Sequence, residues 1–336
     1  MSTVISKCKS DYEVVSEMYL AALKSKNQPN KKDSFIFEKI DSDGNIDAFK
    51  QGEKASDCYL LSSLISLRNN PVTAKILKEN IKKNNDDSIT ITFPGAIAIK
   101  NNNRNNDNFI NFVTGEYTIT LKEFNEAKNS GKYSYGDDDV LLYELAFEKY
   151  RKEVYESNSV NNLPNKGNRS GVYTGDNSDS LLDYGISIDA IFVLTAKQGK
   201  RLNVKGNENS KISRYDLCQV NTQLNEEDVK NISNYLDLLS KKPLDYISTA
   251  SFNIDGSMHS VSIKTVTDRD VILIDPYDSE KEIIMPREQF IEKVRNIGLV
   301  NLRKGDENES NSFMKRIVKS ILKFNNKFWD FILNLF

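Results

Sequence analysis

The chain has 336 residues, of which 38% are hydrophobic and 28% are charged, and its formal net charge is -2. This composition is typical of a soluble globular protein with one large core or two packed lobes, and the near-neutral charge gives no reason to expect nucleic acid as a partner. Three widely spaced cysteines, Cys8, Cys58 and Cys218, form neither a disulfide framework nor a zinc pattern, which favours a reducing compartment.

The N-terminus lacks the apolar core of about 7–15 residues that marks a cleaved Sec-type signal peptide. We therefore expect the protein to work in the cytoplasm, or to be delivered into a host cell by a specialised secretion system that leaves no such mark. Residues 11–24 carry apolar side chains at helical spacing and precede a polar run. Residues 1–34 are accordingly assigned to an accessory helix and its linker.

The segment that starts at Ser56 predicts a buried helix. Its positions 60, 61, 64, 65 and 67 are apolar, with only serines between them, and Ser56 itself is a typical capping residue. Cys58 would lie in the first turn, where peptide dipoles and unpaired N–H groups stabilise a thiolate. A buried structural cysteine is the alternative.

The next elements alternate between strand and helix patterns. Residues 89–93 and 117–120 are β-type runs on either side of an Asn-rich loop at 101–108. Residues 139–156 predict a long helix with an apolar face, and residues 157–180 a long polar loop. Together with the Cys58 helix, these elements predict a largely helical first lobe.

The second half of the chain is richer in strands. Residues 187–195 fit a buried strand or a short helix, and residues 226–240 an amphipathic helix. Three strands follow at 246–254, 260–266 and 271–275, the last two joined as a hairpin. We therefore expect an α+β protein whose second lobe is mainly antiparallel sheet.

The C-terminal residues 313–336 place five apolar side chains near one stripe, with lysines at four-residue spacing on the other side. Charges interrupt the apolar run too often for a transmembrane span. Residues 306–336 are therefore assigned to a basic amphipathic helix. It either docks on the core or binds an anionic membrane or a partner groove.

His259 is the only histidine in the chain, so any chemistry that needs a base near neutral pH depends on it. It begins one arm of the predicted hairpin, and Asp275 ends the other arm. Taken singly, His259 fits a structural histidine and Asp275 a turn-initiating residue before Pro276. Taken with Cys58, they supply a thiolate, a base and an orienting carboxylate, which is the arrangement of a nucleophilic active site.

Residues 51–61, QGEKASDCYLL, resemble the calpain active-site signature Q-G-x-x-G-D-C-[WY]-x-L. Three later motifs follow in the same order as in that family. Residues 141–150 resemble its L-x-E-K-A-Y-A-K helix, and residues 258–262 resemble its G-H-A-Y-S-V motif. Residues 274–277 occupy the position of its R-N-P-W motif. The resemblance spans residues 35–302, and residues 35–305 are assigned to the protease domain that it implies. It implies a papain-like, two-lobed cysteine protease fold.

The resemblance also implies roles for four residues. Cys58 would be the nucleophile of a cysteine endopeptidase that acts on protein substrates. His259 would be its base and then the acid that protonates the leaving amine, and Asp275 would orient the imidazole. Gln51 would donate its side-chain amide, together with the Cys58 backbone N–H, to the oxyanion. No cofactor is implied.

The chain departs from the family pattern at three positions. Gln51 and Cys58 are one residue further apart, so the loop between them must bulge to keep the oxyanion donor in place. Asp275 replaces Asn, and its charge would stabilise a thiolate–imidazolium pair, as in transglutaminase-like and deamidase-like relatives of the fold. Tyr277 replaces Trp, which weakens the expected aromatic cover over the His–Asp hydrogen bond.

These departures leave two alternatives to peptide hydrolysis. The same site could deamidate or transamidate glutamine. Alternatively, the chain could be an inactive calpain-shaped module that binds through residues 313–336.

Calpain protease cores bind calcium, so the resemblance implies that the acidic segments could hold a metal ion. Residues 41–47 resemble an EF-hand loop, but its first and twelfth ligand positions would be Lys39 and Lys50. Asp137, Asp138 and Asp139 are expected to cap the helix that follows them. We therefore predict no metal site.

Overall fold

A computed structural model describes residues 38–102, 107–156, 181–183, 185–204, 224–254 and 257–303. The predicted N-terminal helix and linker (1–34), the polar loop (157–180) and the basic C-terminal helix (306–336) lie outside these residues, so their assignments stay predictions. Within the described ranges, the helices are too short or too polar to cross a membrane.

The described residues are of α+β class, as expected. Their helices are α1 (Cys58–Arg68), α2 (Pro71–Glu79), α3 (Leu121–Ser130), α4 (Asp138–Glu156), α5 (Ser187–Thr195), α6 (Glu226–Lys241) and α7 (Arg287–Lys293). Their strands are β1 (Ile81–Lys83), β2 (Ile89–Asn102), β3 (Asp107–Ile119), β4 (Gly199–Asn203), β5 (Tyr246–Ile254), β6 (Ser257–Val266), β7 (Asp270–Asp275), β8 (Asp278–Pro286) and β9 (Val294–Asn301).

The strands form two antiparallel sheets, one with the order β1-β2-β3 and one with the order β4-β9-β5-β6-β7-β8. The predicted hairpin is β6–β7, whose register pairs Ser262 with Ile274. The β2–β3 hairpin is longer than predicted, because its ladder continues to Asn102 opposite Asp107. Backbone pairing does not depend on side-chain type, so a ladder can extend into an Asn-rich segment.

Helix α1 is buried along its length, and residues 59–67 are all inside the protein. The hydroxyl groups of its serines hydrogen-bond to neighbouring elements of the interior. Ser63 donates to the Ser187 carbonyl of α5 at 3.0 Å. The Ser66 hydroxyl donates to the Ser248 carbonyl of β5 and also hydrogen-bonds to the Ser262 hydroxyl of β6, both at 2.9 Å. These bonds explain how serines occupy a buried helix and attach α1 to the six-stranded sheet.

The two faces of β6 contact different parts of the protein, because successive side chains of a strand point to opposite faces. Val261 and Ile263 belong to a hydrophobic cluster shared with α6 and α7, whereas Ser262 faces α1. A second cluster surrounds α1, α4 and α5. The six-stranded sheet is therefore covered on one face by α6 and α7 and on the other by α1.

Two local predictions are refined by the structure. Residues 187–195 form a helix, which decides between the two readings of that segment. The capping assignment was wrong: Asp57, rather than Ser56, occupies the N-cap position of α1, and its side chain makes no capping hydrogen bond. The Ser56 N–H donates instead to Asp183 Oδ1 at 2.8 Å, so the loop before α1 is held by a tertiary contact.

Candidate active site

The β6–β7 hairpin brings His259 and Asp275 into contact. The Nε2 atom of His259 lies 3.0 Å from both carboxylate oxygens of Asp275. The Tyr277 N–H donates to Asp275 Oδ1 at 2.9 Å, which fixes the carboxylate from the other side. Both side chains are buried, with His259 6% and Asp275 8% exposed. The carboxylate can therefore orient the imidazole and balance a positive charge on it.

Cys58 supplies the third group. It is the first residue of α1, and its side chain interacts with the imidazole of His259. Because Nε2 is occupied by Asp275, Nδ1 is the ring nitrogen left for the thiol. Cys58 is only partly buried, so the thiol is the most accessible member of the row formed by Cys58, His259 and Asp275.

The charges in this row favour a protonated imidazole. Burial lowers the pKa of His259, but the Asp275 carboxylate and the Cys58 side chain together outweigh it and raise the pKa to about 10. At neutral pH His259 is therefore an imidazolium between a carboxylate and a thiol.

Tyr277 covers one face of the imidazole. The two rings stack with centroids 4.8 Å apart and planes inclined by 8°. The tyrosine ring itself is 42% exposed. Although smaller than the tryptophan of the family pattern, it shields the His259–Asp275 hydrogen bond from solvent on that side.

Gln51 lies close to this row, but its amide is engaged within its own loop. Its Nε2 donates to the Ala55 carbonyl and to Asp57 Oδ1, both at 2.9 Å. Both amide hydrogens are thus used, and Oε1 has no hydrogen-bond partner among the described residues. As an oxyanion donor, the amide would have to release one of these two partners.

The Gln51 loop is nevertheless held in position by contacts with neighbouring segments. The Gln51 N–H donates to the Pro276 carbonyl at 2.9 Å, which ties the loop to the turn after Asp275. A Cβ at Gly52 would lie 2.3 Å from the carbonyl oxygens of Lys132 and Tyr133. Only glycine fits at this position, which explains the Gln-Gly pair of the motif.

Sequence reasoning missed a supporting contact from α4. Arg151 is fully buried and donates to the carbonyls of Leu182 (2.9 Å) and Asp183 (3.2 Å). Asp183 in turn accepts the Ser56 N–H two residues before Cys58. The available signal was a charged residue on the apolar face of α4, one turn after Phe147.

The acidic segments considered for metal bind backbone amides. Asp138 accepts the Asp41 N–H at 2.9 Å, Asp139 accepts the Gly44 N–H at 2.8 Å, and Asp137 accepts the Asp139 N–H at 2.7 Å at the start of α4. Burial raises the pKa of Asp137 to about 6. In the part of the chain that the structure describes, no group of three or more Asp, Glu, His or Cys residues is arranged to hold a metal ion.

Replacing Asp275 by Asn should lower the pKa of His259. The amide keeps an acceptor for the ring but removes the negative charge that stabilises the imidazolium, so we expect a decrease of about 1–3 pH units. Because the chain has a single histidine, its imidazole signal in an NMR titration of untagged protein is unambiguous. The parent should titrate near pH 10.

Asp278→Asn is the matched control, since Asp278 pairs with Asp275 in the β7–β8 ladder but forms an exposed ion pair with Lys50. Its histidine titration should follow that of the parent. An unchanged titration in Asp275→Asn would show that the carboxylate does not set the charge of the imidazole.

The row places a thiol, an imidazole and a carboxylate side by side, which are the groups that nucleophilic catalysis uses. A scan of the chain against models of known protein families found no match, and a search of curated proteins found none either.

Proposed function

We propose that the protein is a cysteine endopeptidase of calpain-like type. In this proposal α1 and its surrounding helices form one lobe of a papain-like fold, the six-stranded sheet forms the other, and substrate binds between them. The observation that carries the proposal is the row of Cys58, His259 and Asp275, in which His259 hydrogen-bonds to Asp275 and interacts with the Cys58 side chain. The motif order in the sequence supports the same conclusion.

In the proposed reaction, the Cys58 thiolate attacks the scissile carbonyl and forms a tetrahedral intermediate. The imidazolium of His259 then gives its proton to the leaving amine, and the C–N bond breaks to leave a thioester on Cys58. Water, deprotonated by the now neutral imidazole, attacks the thioester and releases the carboxylic acid product. His259 ends the cycle protonated beside the thiolate, as it began.

The oxyanion of the intermediate needs hydrogen-bond donors. Cys58 is the first residue of α1, and N–H groups in the first turn of a helix have no partner within the helix. Its backbone N–H is therefore the first proposed donor. Gln51 is the second, and we propose that its amide exchanges the Ala55 carbonyl for the oxyanion when substrate binds.

The presence of Asp275 also supports a second candidate reaction. A carboxylate in place of Asn favours the thiolate–imidazolium pair, and such a pair also serves acyl transfer from a glutamine side chain. Deamidation or transamidation would use the same thioester, formed on a side-chain carboxamide rather than on a peptide bond.

A product analysis separates the two reactions. Unfolded casein is incubated with the full-length protein, and the products are examined by mass spectrometry for new chain ends and for glutamine converted to glutamate. New chain ends that are lost after pretreatment with a thiol-directed alkylating agent are the expected result. Conversion of glutamines in intact chains, without new chain ends, would replace peptide hydrolysis with deamidation.

A further inference from the structure

Two carboxyl groups meet in the interior directly behind the proposed nucleophile. Asp57 precedes Cys58 at the start of α1, and Glu144 lies on α4. Both residues are completely buried, and their carboxyl groups interact with each other. Two carboxyl groups that meet away from water are stable together only if one of them carries a proton, because two carboxylates would repel each other.

Among the described residues, the groups that donate hydrogen bonds to the pair are uncharged. Both oxygens of Glu144 accept the Ser134 N–H at 3.1 Å, and the Ser134 hydroxyl also donates to it. Asp57 Oδ1 accepts the Gln51 amide at 2.9 Å, whereas Asp57 Oδ2 is buried and has no donor among the described residues. A proton held between the two carboxyls would satisfy this oxygen.

The other titratable groups near the pair are acidic or neutral. Asp183 adds a further negative charge near Asp57, and the phenols of Tyr59 and Tyr133 have pKa values that burial raises. The cation on this side, Arg151, is engaged by the Tyr59 hydroxyl and by main-chain carbonyls. Burial likewise raises the pKa of Asp57 and, with the neighbouring Asp57 carboxyl, raises that of Glu144 well above its usual range.

We propose that Asp57 and Glu144 share one proton at neutral pH and act together as positioning residues for Gln51 and for the start of α1. Asp57 holds the Gln51 amide through Oδ1, and Glu144 holds Asp57 through the shared proton. Ser134 anchors Glu144 in turn. The proton also limits the pair to one negative charge, which reduces repulsion of a thiolate at Cys58.

Comparison of Glu144→Gln with Glu144→Ala tests the shared proton. A glutamine amide donates to Asp57 as a protonated glutamate would, so Glu144→Gln should keep kcat within about threefold of the parent. Glu144→Ala removes that donor and frees Asp57 and Gln51, so its kcat should fall by about 10–100-fold with little change in KM. Glu148→Gln, one turn along α4, controls for the loss of a carboxylate from the helix.

The kinetic comparison rests on the proposed peptidase activity. The shared proton can be detected without that activity, from the pH dependence of stability. The folded parent retains a proton that the unfolded chain releases above about pH 4.5. Its stability must therefore fall as the pH rises, by about tenfold in the unfolding equilibrium constant per pH unit and per proton. Urea unfolding of the full-length protein between pH 5 and pH 7 should show a slope about one proton smaller in Glu144→Gln than in the parent.

Either of two results would overturn the proposal. Equal pH slopes for the parent and Glu144→Gln would mean that no proton is shared. Equal losses of kcat in Glu144→Gln and Glu144→Ala, or no loss in either, would mean that the pair does not position Gln51 through a proton. If the parent cleaves no peptide, the peptidase assignment fails while the unfolding slopes still decide the shared proton.

Discussion

Replacing Cys58 by Ala is expected to abolish thiol-dependent peptide hydrolysis, with a fall in kcat of about 10⁴-fold or more. The remaining groups of the row would stay in place, but the reaction would have no nucleophile to form the thioester. The measurement is single-turnover and steady-state cleavage of a protein substrate by the full-length variant. Because Cys58 is only partly buried, the free energy of unfolding should change little.

The control for this variant is another cysteine of the same chain. Cys218→Ala also removes one thiol, but the sequence does not place Cys218 at the start of a helix, so hydrolysis should continue at the parent rate. Iodoacetamide should label Cys58 and block hydrolysis in both the parent and Cys218→Ala. Hydrolysis by Cys58→Ala at the rate of the parent would end the proposal that Cys58 is the nucleophile.

His259→Asn is expected to reduce kcat by about 10³–10⁴-fold. The asparagine amide can still donate to Asp275, so the buried carboxylate keeps a partner while the base and proton donor are lost. Alkylation of Cys58 at neutral pH should slow as well, since the imidazolium that stabilises the thiolate is absent. Both rates are measured on the same preparation, and an undiminished kcat would exclude His259 as the base.

His259→Ala provides the structural comparison. Among the described residues, it leaves the Asp275 side chain with the Tyr277 N–H as its hydrogen-bond donor, and it removes the ring that stacks on Tyr277. A buried carboxylate that loses a hydrogen-bond partner costs about 1–3 kcal/mol, so this variant should be less stable than His259→Asn by that amount. Equal stability of the two would indicate that Asp275 is not held by the imidazole.

Much of the secondary structure could be predicted from local pattern. The α4 and α6 helices and the β5, β6 and β7 strands begin and end within a few residues of the predicted limits, because each has a clear apolar period over its length. The proximity of His259 and Asp275 also followed from sequence, since residues on the two arms of a short hairpin must lie close together. Strand ends in the β2–β3 hairpin were harder to predict, because backbone pairing continued through a polar segment.

The hydrogen bonds of the Gln51 side chain could not be predicted from the local sequence. The motif and its extra residue predicted a bulge, but only the folded chain shows that the amide turns toward Ala55 and Asp57. The same holds for Glu144, Arg151 and Asp183, whose partners lie on other elements. Buried polar groups find their hydrogen bonds across the tertiary structure, and sequence spacing carries no information on those partners.

The sequence by itself determined the candidate nucleophile, the single available base and the carboxylate at the end of the hairpin. The tertiary structure decided that α1 packs against β6, which puts Cys58 beside an imidazole from a segment about 200 residues further along the chain. It also decided the charge of that imidazole. The pKa of a side chain depends on its burial and on the charges around it, and both arise only when distant parts of the chain come together.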